Sequence, residues 1–255
     1  MGPQIAREPT VERNAARGIA RAGLVCGAAF VVVSAIDGCV HGEDLRADVL
    51  WTAVFGASAL VCLAVAGSLG VRLLLRSRLP VEIARGNVAA GVAAGAHYAA
   101  TGLIIARCLY GDDVATLGIS IVFFVIAQVT LHVLVILFRT LTLYADDEEI
   151  LGENVAAAVS YAGAMLAIAI IVGHAAEGTF EGWGPSLRAF FVALASSLVL
   201  YPTRQFVVQT LLLGQPFTLR GGALDRRIAQ DRDVGASAVE AVSYVAAALL
   251  LTGIF

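Results

Sequence analysis

Two histidines stand inside apolar stretches of this 255-residue chain, at matching depth. His97 lies about eleven residues into the apolar run 86–107, and His132 about eleven residues before the end of the run 115–143. At 1.5 Å per helical residue, both sit roughly 16 Å from the same end of their helices. Ionisable groups in apolar runs of membrane length are functional candidates, and two imidazoles at one level suit a proton relay or a metal. A metal site takes three or four ligands, and Gln128 is the only obvious polar group nearby. The expected state is therefore two neutral histidines, each hydrogen-bonded to a neighbouring helix.

A second pair carries full charge. Arg204 follows the helix-breaking Pro202 in the run 187–213, and Glu240 lies about six residues into the run 234–254. Their depths from the same end are roughly 14 Å and 9 Å, a difference that a long arginine spans. A carboxylate alone in hydrocarbon costs several kcal/mol or takes up a proton, so the spacing predicts that Arg204 and Glu240 pair. Cys39 and Cys108 close two helices on one side and could be bridged there, whereas Cys26 and Cys62 read as small core hydrophobes. The acidic run Asp146-Asp147-Glu148-Glu149 is expected to be a solvated connection beside a helix start.

Other chemistry is excluded. The chain contains no nucleophile-elbow G-x-S-x-G, no H-E-x-x-H and no phosphate loop, so no enzyme activity is expected. All 17 basic residues are arginine, which rules out a lysine Schiff base and the retinal proteins that need one. No cofactor and no nucleic-acid partner is expected.

The elements that position these residues follow from composition. With 59% hydrophobic residues, only 15% charged and a mean hydropathy of +0.84, the chain is too apolar for water. Seven apolar runs, roughly 16–36, 49–75, 86–107, 115–143, 153–173, 187–213 and 234–254, are each long enough to cross about 30 Å of hydrocarbon. The fold class is all-α: a polytopic membrane bundle of seven transmembrane helices, with a loose cytoplasmic segment 1–15 and a single domain 16–255. Thr10 is a plausible N-cap, and Arg13, Arg17 and Arg21 share one helix face at the membrane surface.

The runs repeat one another. Glu82-Ile83 matches Glu149-Ile150 at a spacing of 67, and Asn87-Val88-Ala89-Ala90 matches Asn154-Val155-Ala156-Ala157 at the same spacing. Asn14 falls on Asn154 at a spacing of 140, and Ala241-Val242-Ser243-Tyr244 repeats Ala158-Val159-Ser160-Tyr161, which puts Ser237 in the asparagine position. The unit is a two-helix hairpin, present at about 14–80, 82–145 and 149–214, followed by the single helix 234–254. Odd-numbered helices are rich in Ala and Gly and should pack at the centre, with the bulkier even-numbered ones facing lipid. Arginines cluster in the N-terminal segment and the even connections, among them Arg76, Arg78, Arg85, Arg220, Arg226, Arg227 and Arg232. The opposite connections hold Arg46, Arg107 and Arg188. The N-terminus is therefore expected in the cytoplasm and Phe255 outside, with Arg72 and Arg139 snorkelling to the cytoplasmic head groups.

The pattern E-I-x-x-x-N-x-A-A opening an Ala/Gly-rich helix resembles the YjfL-type bacterial membrane proteins, domain-of-unknown-function family 350. The likeness is carried by Glu82–Gly95 and Glu149–Gly163, then by Asn14–Gly23 and Ser237–Ala246. It implies a bacterial inner-membrane protein and brings no established reaction. Two functions fit the residues: a channel or transporter-like component for a small ion or solute, gated by His97, His132, Arg204 or Glu240, or a non-transporting scaffold. Expected partners are the lipid bilayer and either further copies of the chain or another membrane protein.

Overall fold

A computed structural model describes residues 14–42, 44–73, 78–218 and 220–254. Thr10, Arg7, Arg13 and Arg76 lie outside the described residues. The helices are α1 (Ala15–Cys39), α2 (Leu45–Leu73), α3 (Leu79–Arg85), α4 (Val88–Cys108), α5 (Val114–Arg139) and α6 (Asp146–Leu151). There follow α7 (Val155–Ala176), α8 (Trp183–Leu194), α9 (Leu200–Thr203), α10 (Ala223–Ala229) and α11 (Val234–Ile254). Among the described residues, seven helices are long and apolar enough to cross a membrane: α1, α2, α4, α5, α7, the composite span Trp183–Leu212 and α11. The short helices α3, α6 and α10 all lie at one end of the bundle, next to the starts of α1, α4, α7 and α11.

Each long helix of that set begins with the same device. Asn14, Asn87 and Asn154 accept the backbone N–H three residues on, from Arg17 (2.9 Å), Ala90 (3.1 Å) and Ala157 (3.2 Å). Such a cap satisfies an otherwise orphaned donor in the first turn. The amide Nδ2 of each asparagine then reaches across to a neighbouring short helix. Asn14 donates to Ile83 O in α3 (2.8 Å), Asn87 to Ile150 O in α6 (2.9 Å) and Asn154 to Ile228 O in α10 (2.9 Å). Glu82 and Glu149 accept a further bond from Asn87 (3.1 Å) and Asn154 (2.8 Å). On α11 the capping position belongs to Asp233, which accepts from Ala236 N–H at 3.0 Å, while the Ser237 hydroxyl bonds Val234 O at 2.9 Å. Sequence identity had pointed to Ser237 because Ala241–Tyr244 matches Ala158–Tyr161, but capping is decided by distance to the first turn. The residue before each of the last three caps is left-handed: Gly86 (φ 99°), Glu153 (φ 63°) and Arg232 (φ 51°).

The four Ala/Gly-rich helices stand in a row, α1–α4–α7–α11, each packed on the next. Glycine permits the closeness. A Cβ added at Gly91 would lie 2.5 Å from Ala16 O, and one at Gly27 would lie 2.6 Å from Tyr98 O. Gly23 against Gly95, Gly102 against Gly27 and Gly163 against Ala241 are closer still. In a bilayer, where apolar burial alone does not favour helix association, this backbone approach supplies the van der Waals contact that holds the row. The second layer sits in its furrows, with α2 against α1 and α4, α5 against α4 and α7, and the composite span against α7 and α11. The expectation of central odd-numbered helices holds for α4 and α7, whose most apolar windows are 78% and 72% buried. It fails for α1 (22%) and α11 (28%), because a row has two ends.

The sixth span is broken. After α8 the chain tightens into a 3₁₀ stretch (Ala195–Val199), makes the single α-turn α9 with Pro202 inside it, and widens into a π-helix over Arg204–Leu212. Proline removes a donor and clashes with the preceding turn. The wide turn is visible where Leu213 N–H bonds Val208 O at 3.0 Å, five residues back.

Candidate functional site

The short-helix end holds a buried charge cluster. Arg204, fully buried in the π-helical segment, donates through Nε to Glu240 Oε1 on α11 and through an Nη to Asp225 Oδ1 on α10. Asp225 Oδ2 accepts the backbone N–H of Leu143 at 2.8 Å, so one carboxylate ties α10 to the α5–α6 link. Tyr244 OH donates to Glu240 Oε1 at 3.1 Å. Arg204 and Glu240 are thus in contact as their depths required, and Asp225 is a second partner that depth alone did not reveal.

Beside it lies a second arginine. Arg139 does not snorkel: it is 7% exposed and grips Asp146 with two N–H groups, one of them Nε to Oδ2 at 2.7 Å. Its remaining donors go to Ser160 Oγ (3.0 Å) and Tyr144 OH (2.8 Å). Use of four of the five guanidinium N–H groups by fixed acceptors is what makes burial tolerable, since one buried charge without a partner costs several kcal/mol. The acidic run is therefore only partly a solvated link: Glu148 is exposed, whereas Asp146 is anchored inward and Glu149 holds the Asn154 cap. Burial raises the Asp146 carboxyl above the usual carboxylate range against the opposing pull of Arg139, and burial pushes the Tyr144 phenol up to about 12.

The histidines meet at mid-depth. The His97 and His132 rings are 5.3 Å apart, centroid to centroid, between α4 and α5. His132 Nδ1 contacts Gln128 O of its own helix at 2.7 Å, and Gln128 Nε2 donates to Thr101 Oγ1 at 3.3 Å. His97 is fully buried against Gly70 of α2, near the Ala66 backbone, yet neither ring nitrogen makes a regular hydrogen bond. The expectation that each histidine bonds a neighbouring helix fails for His132, whose contact is on its own helix. Glycine at 70 leaves space for the ring but offers no side-chain acceptor. Among the described residues, no group of three or more His, Cys, Asp or Glu is placed to hold a metal ion. All four cysteines, Cys39 and Cys108 included, are free.

The face of α4 turned away from His97 is uncovered. There the row forms a groove of about 600 Å³ whose floor includes Cys26, Ala99, Leu166 and Val245. Each of these lies eleven residues after the first residue of its helix, close to the middle of the span. At the end away from the short helices, the groove meets Arg107 and Glu177, paired through 2.9 Å bonds to both carboxylate oxygens.

Comparison with known proteins agrees with a membrane-embedded chain. It is 21% identical over 249 residues to the UPF0719 transmembrane protein of Aquifex aeolicus (strain VF5), covering 97% of this chain and 88% of that relative. No solved structure matches it. The model of the family described as Domain of Unknown Function (DUF350) matches residues 3–109 and 113–255, nearly the whole length, and the chain belongs to that family.

Proposed function

We propose that the protein is a channel or transporter-like component for a small ion or solute, acting as an assembly of more than one copy in the bacterial inner membrane. The observation that carries this reading is the groove, which runs from the Arg107–Glu177 pair to mid-depth on an uncovered face. Inside one chain the glycine seams leave no room for a path between row helices. A second copy laid over the uncovered face would turn the groove into an enclosed path. His97 and His132 lie on the covered side and are placed to hold α2, α4 and α5 in register, not to line that path. The arginines support an N-terminus in the cytoplasm: Arg78, Arg85, Arg220, Arg226, Arg227 and Arg232 sit at the short-helix end, against Arg46, Arg107 and Arg188 at the other. The three Asn caps with their matching short-helix contacts support a fold built from repeated hairpins.

A scaffold without transport is favoured by one observation, the continuity of α1, α4, α7 and α11, since transporter sites are typically built on interrupted helices. Flux through the purified protein in liposomes separates the two. Movement of a small cation or anion above protein-free vesicles supports transport. A correctly inserted, monodisperse protein that passes none of the ions or small solutes tried leaves the scaffold reading.

A further inference from the structure

At the end away from the short helices lies a cavity of about 450 Å³ that shares no residue with the charge cluster or the histidine pair. It is enclosed by the ends of α1 and α7, the starts of α5 and α8, and the links 109–113 and 177–182. Its floor is buried: Cys108, Ser120 and Phe123 are 5%, 6% and 8% exposed. One hydroxyl braces the rim, because Tyr110 OH donates to Gly178 O at 3.0 Å and accepts from Gly178 N–H at 3.1 Å. The volume equals roughly fifteen water molecules at ~30 Å³ each, which suits a small organic molecule and far exceeds a bare ion.

The lining is short of hydrogen-bond donors. Asp113 Oδ1 accepts the Thr116 N–H at 2.6 Å, and the Thr116 hydroxyl also bonds Asp113. The Glu181 N–H goes to Ser186 Oγ at 3.2 Å, and the Ser186 N–H to Gly182 O at 3.1 Å. The Ser120 hydroxyl is directed at Tyr110 O, 3.4 Å away. An anion would therefore find the first turn of α5 already served by its cap. Among the described residues that line the cavity there is no arginine. Three side chains on the rim can carry charge: Glu177, His41 and Asp112. Glu177 is paired with Arg107, and His41 stands 4.0 Å from Asp48. Among the described residues Asp112 has no such partner. Beside these groups the Phe123 and Phe180 rings, 6.2 Å apart and set edge to face, form an apolar, electron-rich wall.

We propose that this cavity is a binding site for a small organic cation, a protonated amine carried on an apolar body. The ammonium supplies the donors that the lining lacks and gives one to the Asp112 carboxylate. The apolar body lies against Phe123 and Phe180. Glu177 lines both the cavity and the groove, so under the transport reading the cavity is the mouth at which the solute is recognised. Binding is measured without flux, and its failure leaves the transport reading standing.

Trp183 reports on the wall, because its ring is parallel to that of Phe123 with centroids 6.0 Å apart. The chain has two tryptophans, so Trp51→Phe leaves Trp183 as the single fluorophore of its kind. In that background the full-length protein, in phosphatidylcholine nanodiscs at neutral pH, is titrated with benzylamine while Trp183 emission is followed. A saturable change is expected with benzylamine and none with benzyl alcohol or benzoate. Asp112→Asn should weaken benzylamine binding about tenfold, the loss of one charge-assisted bond. Asp112 is exposed, so this variant is expected to fold. Ala189→Leu, which narrows the cavity, should weaken binding as well. No saturable change, benzyl alcohol binding as tightly as benzylamine, or unchanged binding in either variant overturns the proposal.

Discussion

Removing Arg204 and neutralising Glu240 should have very different effects, although the two residues are paired. Arg204→Ala strips the cation from two carboxylates that are 0% and 3% exposed. Breaking one buried pair from the cationic side costs about 3–5 kcal/mol, and two orphaned partners place this variant at the upper end. Glu240→Gln leaves an oxygen for Arg204 and Tyr244 and leaves Arg204 with Asp225. Its loss is that of weakening a charge-assisted bond to a neutral one, about 1 kcal/mol. The gap of roughly 4 kcal/mol corresponds to about three powers of ten in the folded-to-unfolded ratio. In the double variant only Asp225 remains orphaned, so its loss falls below the sum of the single losses. Reversible unfolding in mixed detergent micelles, followed by far-UV circular dichroism, reads all three. Equal losses for the two single variants, or strict additivity, would refute the charge assignment.

Asn154→Ala should cost more than an ordinary cap, because it removes both the bond from Ala157 and the bridge to α10; about 2–4 kcal/mol by the same unfolding assay is expected from a cap plus a buried donor. Gly163→Leu should lower the yield of folded protein sharply, since even a Cβ there overlaps Ala241, whereas Gly118→Leu, with open space around it, should be near wild type. With the native cysteines replaced, Asp231→Cys should react with an impermeant maleimide only from the cytoplasmic side and Asp112→Cys only from outside; the reverse pattern would overturn the proposed orientation. Asp113 is held below the usual carboxylate range by the Thr116 N–H it accepts, so its cap contributes above that range and is lost as pH falls through the lowered value. Asp113→Asn, which keeps the acceptor, should abolish that acid-side loss in a pH series of unfolding midpoints.

The seven spans were legible because apolar runs of membrane length have few other uses, and their ends moved by at most four residues. The Arg204–Glu240 contact was legible because two charges in hydrocarbon at similar depth have few alternatives to meeting. Arg139–Asp146 was not, since the six residues between them leave the helix at Thr140, and a helical count sends Arg139 out to the head groups. Asp225 was hidden for a related reason: it lies among the arginines of a loop and reads as solvated until α10 folds back beneath α7. The short helices α3, α6 and α10, six or seven residues each, are too brief for any periodicity to register. Pro202 announced a break in the sixth span, but a proline does not say that the turn beyond it widens into a π-helix.

The glycine seams also have a mechanical consequence. Helices in contact through backbone atoms have no flexible side chains between them to reshuffle, so α1, α4, α7 and α11 behave as one stiff plate. The sixth span is its opposite: three helical pitches in thirty residues, in contact with the plate edge along α7 and α11. Strain applied to the molecule by bilayer thinning, a partner or a change of charge at Arg204 is therefore absorbed in that one strut. The bundle has a rigid wall and a single compliant post, with the buried charge cluster at the post's foot.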